Sequence, residues 1–193
     1  MSDVAANLAA MVGVWHDRLV AYAPDGTEVT DDPHGGVPGP FPYDNLVYVD
    51  FDGHRYTQTN VTFRGRPVHA RTFRGVIDGG VLRFDSLGPD DPGHIGVAAG
   101  PGTLVYVAER NDDDAVMRYD EPDFIKLSGD QRVRTTVLYR HGVVVRTMTA
   151  SGTRLTTHTT RRIDWDPRGA DGSVHEAPSS TQVYRAGGSG DNR

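Results

Sequence analysis

The chain has 193 residues, a length that suits one domain, and its 23 glycines, 12 prolines and 37% hydrophobic content suit a turn-rich sheet rather than a large helical bundle. Its formal net charge is -6 and it carries no basic cluster, which argues against nucleic acid and against an anionic membrane surface as partners. The absence of cysteine excludes disulfides, thiolate metal sites and cysteine nucleophiles, and Lys126, the only lysine, is the sole candidate for a Schiff base.

Residues 2–12 are alanine-rich behind Ser2 or Asp3 as a cap, which predicts a short helix ended by Gly13. Trp15–Tyr22 reads as the first strand, closed by the turn Ala23-Pro24-Asp25-Gly26, and residues 31–44 read as a long irregular loop. Asn45–Phe51 and His54–Phe63 flank Asp52-Gly53, a strong hairpin signal. Pro67–Ile77 and Val81–Asp85 flank Asp78-Gly79-Gly80 in the same way. The glycine-rich stretch Gly96–Gly102 lacks the Lys-Ser/Thr ending of a phosphate loop and reads as a flexible loop near a barrel mouth. Shorter strands follow at Leu104–Glu109, Ala115–Tyr119 and Phe124–Leu127. Arg132–Tyr139 and Val143–Thr149 form a hairpin about His141-Gly142, and Ser151-Gly152 turns the chain into a last strand, Thr153–Trp165.

Successive hairpins tend to close on themselves, because closure removes exposed strand edges. The expected fold is therefore all-β, an antiparallel up-and-down barrel of about 8–10 strands with a short N-terminal helix. Residues 1–165 form the barrel domain, and residues 166–193 an irregular C-terminal extension with a flexible tail. The N-terminus has no basic region and no apolar run approaches the ~20 residues of a membrane span, so the expectation is a cytoplasmic protein with no membrane contact. Edges of short strands are compatible with a homodimer.

Gly13-Val14-Trp15 after a short helix resembles the Gly-x-Trp opening of calycins, the lipocalins and their relatives. That resemblance implies a calycin-like barrel in which the Trp closes one end and a late-strand arginine packs across it; Arg146, Arg154 and Arg162 are the candidates. The order of Tyr56-Thr57-Gln58-Thr59-Asn60, then Arg132-Val133-Arg134-Thr135 and His141-Gly142-Val143, resembles the S-type phycobiliprotein lyases and related calycin-like domains. Such lyases chaperone a linear tetrapyrrole, and other barrels of this kind act as cofactor-independent cyclases or isomerases. The resemblance implies a small-molecule pocket without fixing its chemistry. Gly65-Arg66-Pro67-Val68-His69 and Leu155-Thr156-Thr157-His158 also resemble segments of nitrobindin-type haem barrels, with His158 at the haem-ligating position.

Strand alternation puts Tyr56, Gln58, Asn60 and Thr62 on one face, which reads either as a polar pocket lining or as a solvated surface. Arg134 shares a face with Arg132, either outside the barrel or inward, where it would hold a carboxylate or enolate. Glu121, beside Tyr119, is a general-base candidate if shielded from water, and otherwise part of a solvated acidic loop. The candidate catalytic set is thus Glu121, Arg134 and His158. The candidate ligand contacts are Trp15, Tyr56, Gln58, Asn60, Tyr119 and Arg146. The eight histidines are scattered without zinc spacing, the acidic loop lacks calcium spacing, and no Gly-x-Ser-x-Gly elbow occurs, so no metal, no cofactor and no hydrolase triad is expected. The reading that follows is a cofactor-independent cyclase or isomerase acting on a small molecule in the barrel. The alternatives are a non-catalytic pigment or lipid binder, and a haem barrel.

Overall fold

The computed structural model describes residues 3–31, 40–64, 69–86, 93–109, 122–159, 161–166 and 169–176, the last two ranges as backbone strands. Helix α1 (Val4–Met11) begins where the Asp3 carboxylate accepts the Ala5 N–H at 2.8 Å, a side-chain N-cap. Its buried residues Val4, Asn7, Leu8 and Met11 recur at helical spacing, so one face packs inward.

The strands are β1 (Gly13–Tyr22), β2 (Glu28–Val29), β3 (Tyr43–Phe51), β4 (Arg55–Phe63), β5 (His69–Asp78), β6 (Val81–Phe84), β7 (His94–Gly100), β8 (Thr103–Ala108), β9 (Asp123–Ser128), β10 (Gln131–Arg140), β11 (Val143–Thr156), β12 (Arg161–Asp166) and β13 (Gly169–Glu176). The main sheet runs β11-β10-β9-β8-β7-β6-β5-β4-β3-β1 with antiparallel neighbours, and β11 pairs back onto β1 from Val14↔Thr156 to Tyr22↔Thr147. This closes a ten-stranded antiparallel barrel, as the hairpin pattern predicted. The short β2 lies beside the end of β1, and β12 pairs with β13 in a separate two-stranded sheet.

Cross-strand partners share a face, so the register identifies the inner wall. Trp15, Asp17, Leu19 and Ala21 of β1 point in, opposite Gly152, Ala150 and Met148 of β11. Helix α1 covers the end where β3–β4, β5–β6, β7–β8 and β9–β10 turn tightly. There the Asn7 amide donates to the carbonyls of Gly100 (2.9 Å) and Thr103 (3.0 Å) and accepts the Gly102 N–H (2.9 Å), fastening helix to turn. Leu8 and Met11 of this lid share one core cluster with Trp15, Val47, Val49 and Leu104 of the wall. The strand ends Phe63, His69, Phe84, His94, Ala108 and Asp123 all lie at the opposite end of the barrel.

Three elements differ from the sequence reading. Residues 94–100 are strand β7, not a mouth loop, and the turn that follows, Gly100–Thr103, lies at the helix-covered end. Gly96 is glycine because a Cβ would stand 2.8 Å from the Tyr106 ring of its partner strand. Ser151-Gly152 is no turn: β11 runs straight through it. Gly152 makes room for the side chains of Asp17 and Arg132, since a Cβ would sit 2.7 Å from Arg132 Cγ. The strand expected over Thr153–Trp165 breaks after Thr156, and Arg161–Asp166 pairs with Gly169–Glu176 instead. The expected strand Ala115–Tyr119 and the tail after residue 176 lie outside the described residues.

Candidate ligand-binding interior

Strand β4 carries the first polar set. Tyr56, Gln58, Asn60 and Thr62 all face inward, opposite Gly75, Phe73, Arg71 and His69 of β5. Tyr56 is fully buried and its hydroxyl donates to Gln58 Oε1 at 2.6 Å; Gln58 Nε2 in turn donates to Asn60 Oδ1 at 2.9 Å. The chain climbs from the closed end toward the half-buried Asn60. Burial, as the largest cause, pushes the Tyr56 phenol up to about 12 and the Tyr106 phenol well above its ordinary value, so both are neutral donors near neutrality. Tyr106 stands edge-on to Phe84 (5.1 Å between centroids), which stands edge-on to Tyr56 (6.0 Å).

Strands β9 and β10 carry the second set. Arg132, Arg134, Thr136 and Leu138 face in, because they pair with the buried Leu127, Ile125 and Asp123 on one side and Gly152, Ala150 and Met148 on the other. Val133, on the other face, is 51% exposed. Of the two orientations open to Arg134, the structure has the inward one. Arg134 ion-pairs with Asp123, which also accepts from the Thr136 hydroxyl. Deeper in, Arg132 grips Asp17 in a two-point ion pair (Nε–Oδ1 3.0 Å, Nη2–Oδ2 2.6 Å). The side chains of Arg132 and Asp17 are only 4% and 2% exposed, whereas the Arg134 side chain keeps 21% of its surface in contact with solvent. The Arg134 guanidinium reaches Asp123, the first residue of β9, at the end opposite the helix. Tyr56 feels the charges of Arg132, Arg134 and Asp123, which places both sets around one interior.

Trp15 lies beneath α1 with its ring N–H donating to the Met11 carbonyl at 2.8 Å. The guanidiniums of Arg132 (4.7 Å) and Arg154 (4.5 Å) stack on its ring, and Arg154 also donates to the carbonyls of Ala10 and Val12. Among the three arginines offered for the calycin position, Arg154 packs across the Trp; Arg146 does not, and the Arg162 side chain lies outside the described residues. Arg146 is buried near the other end, opposite Leu138, with its guanidinium 5.8 Å from the Phe41 ring. Arg64, absent from the candidate residues named above, is buried against the same ring at 4.1 Å. Burial lowers the pKa of both arginines. Its signal in the sequence was parity alone: Arg64 continues the inward series 56, 58, 60, 62.

His158 is not brought into this group. It is exposed, lies past the end of β11 rather than in mid-strand, and its N–H is held by the Thr156 hydroxyl at 3.1 Å. Glu121 and Tyr119 lie outside the described residues. Among the described residues no group of three or more metal-ligating side chains occurs, and no helix is long and apolar enough to cross a membrane.

No protein-family model matches the sequence, and no curated protein matches it. Solved structures do resemble it. A protein of unknown function of the DUF3598 family from Nostoc punctiforme superposes with a TM-score of 0.58 at 17% identity, over 77% of this chain and 49% of the other. The chain thus spans about half the length of that protein. The S-type phycobiliprotein lyase CPES from Guillardia theta superposes with a TM-score of 0.57 at 11% identity, over 81% of this chain and 95% of the lyase. At such identities the likeness is one of fold: the closed antiparallel barrel of this chain resembles that of the S-type lyase.

Proposed function

We propose that the barrel binds a small, elongated organic molecule bearing carboxylate groups, of the linear-tetrapyrrole class, and that Arg134 is its main anchor. The observation carrying this reading is the inward Arg134, ion-paired with Asp123 and with 21% of its side chain still exposed. Charge supports it. Among the buried and half-buried inner-wall residues described, Arg64, Arg132, Arg134 and Arg146 face only Asp17 and Asp123, in a chain whose formal net charge is -6. A cation-rich lining inside an acidic protein favours an anionic guest. The fold likeness to a phycobiliprotein lyase supports the choice of class.

Turnover draws on the same groups. The Tyr56 and Tyr106 hydroxyl protons are committed to Gln58 Oε1 and Met11 Sδ, so a cofactor-independent cyclisation or isomerisation would use Arg134 together with the half-buried Asn60 amide. The position of His158 gives no support to a haem barrel, since the proposed ligand stands outside the wall.

The test is an absorbance titration of the full chain with biliverdin, followed by mass analysis of the recovered pigment. Saturable binding is expected, weakened about 10–100-fold in R134Q through loss of a charge-assisted hydrogen bond. Equal affinity of both proteins would refute Arg134 as anchor. Pigment recovered with an altered skeleton would favour turnover, and unchanged pigment would favour a binding or chaperone role.

A further inference from the structure

Amide side chains expose either a donor or an acceptor, and which one is set by what holds the other end. In β4 that choice is made two residues at a time. Tyr56 commits its hydroxyl proton to Gln58 Oε1 at 2.6 Å. The Gln58 oxygen being occupied, its nitrogen is the group that reaches Asn60, donating to Oδ1 at 2.9 Å. Asn60 then has its oxygen engaged and its nitrogen left over, and Nδ2 makes no hydrogen bond among the described residues. Tyr56, Gln58 and Asn60 share the inner face, and only Asn60 is half-buried rather than buried.

The direction of the chain starts at the phenol, whose hydroxyl has a single proton and gives it to Gln58 Oε1. Without that phenol proton, both amides could rotate by half a turn and Asn60 would offer donor and acceptor alike.

We propose that Tyr56, acting through Gln58, locks the Asn60 side chain with its NH2 group toward the open interior, so that Asn60 selects ligand oxygens over ligand N–H groups. Tyr56 and Gln58 are then positioning residues, and Asn60 is the specificity-determining contact. The selectivity rests on the ligand-binding reading above; the amide orientation does not.

Two measurements on the full chain test this. The first compares affinities for biliverdin and for its derivative with both propionates converted to primary amides, in wild type, Y56F and N60D. Wild type should prefer the carboxylate form, Y56F should lose about fivefold of that preference, the worth of one hydrogen bond, and N60D should lose more. A carboxylate-to-amide ratio unchanged in both variants overturns the proposal, even if R134Q shows that carboxylates are recognised. The second is ligand-free: side-chain amide NMR of wild type and Y56F. The Asn60 NH2 signals should shift or broaden in Y56F although Tyr56 lies four residues away. Asn60 signals that do not move overturn the lock. If wild type binds neither probe, the binding reading fails, and the spectra alone decide the orientation.

Discussion

Gly152, Asp17 and Arg132 form one unit at the level of single residues. The ion pair is buried, and glycine is the residue that leaves it space. G152A should cost about 1–3 kcal/mol of stability, the range for overpacking. R132M should cost about 3–5 kcal/mol, because Asp17 would be left buried without its partner and Trp15 would lose a stacked guanidinium. Urea denaturation of each variant measures both; near-wild-type stability for R132M would show that water reaches Asp17. Tyr56 gives a pH signature. Its folded pKa, about 12, exceeds the unfolded value, so the unfolded chain ionises first as pH rises. The associated stability is intact below about pH 10 and lost as pH climbs through about 12, a loss on the order of 2–3 kcal/mol. Alkaline denaturation should therefore be less steep in Y56F, with Tyr106 supplying the remaining slope.

At the level of elements, the lid is tied to the β7–β8 turn by one side chain. Asn7 makes three hydrogen bonds to the β7–β8 turn, so N7A should cost about 2–3 kcal/mol and loosen α1 selectively. Hydrogen exchange should show α1 amides losing protection while β10 and β11 keep theirs; uniform loss would mean that lid and barrel open together. The hairpins were legible where turn chemistry was local, as at Asp52-Gly53 and His141-Gly142, whose residues 141 and 142 do adopt positive φ (52° and 73°). Strand β7 was not legible, since Gly96, Ala98 and Ala99 carry too little hydropathy to show alternation, and glycine there answers to Tyr106 across the sheet. Gly152 misled in the same way: its reason is an ion pair formed by residues far away in the chain.

For the whole molecule, closure is what turns faces into an inside and an outside. Alternation alone grouped Tyr56 with Gln58 and Asn60, and Arg132 with Arg134, but a strand with arginine on one face and valine on the other reads more simply with valine inside. Only the ring of pairings that ends with β11 on β1 puts Val133 in solvent and Arg134 within the wall. Arg146 and Arg64 meet at Phe41 through the same closure, although 81 residues of sequence lie between them. A cation-rich interior in an acidic chain should bind its guest through charge, so affinity for biliverdin should fall severalfold from low to high salt in wild type and less in R134Q. A salt-independent affinity would point to apolar contacts alone. The most direct measurement is a crystal structure of the full chain grown with biliverdin. Pigment density inside the barrel, with a carboxylate within hydrogen-bonding distance of Arg134, is expected. Pigment seated on the outer wall, with side chains filling the space around Arg134, would contradict the account.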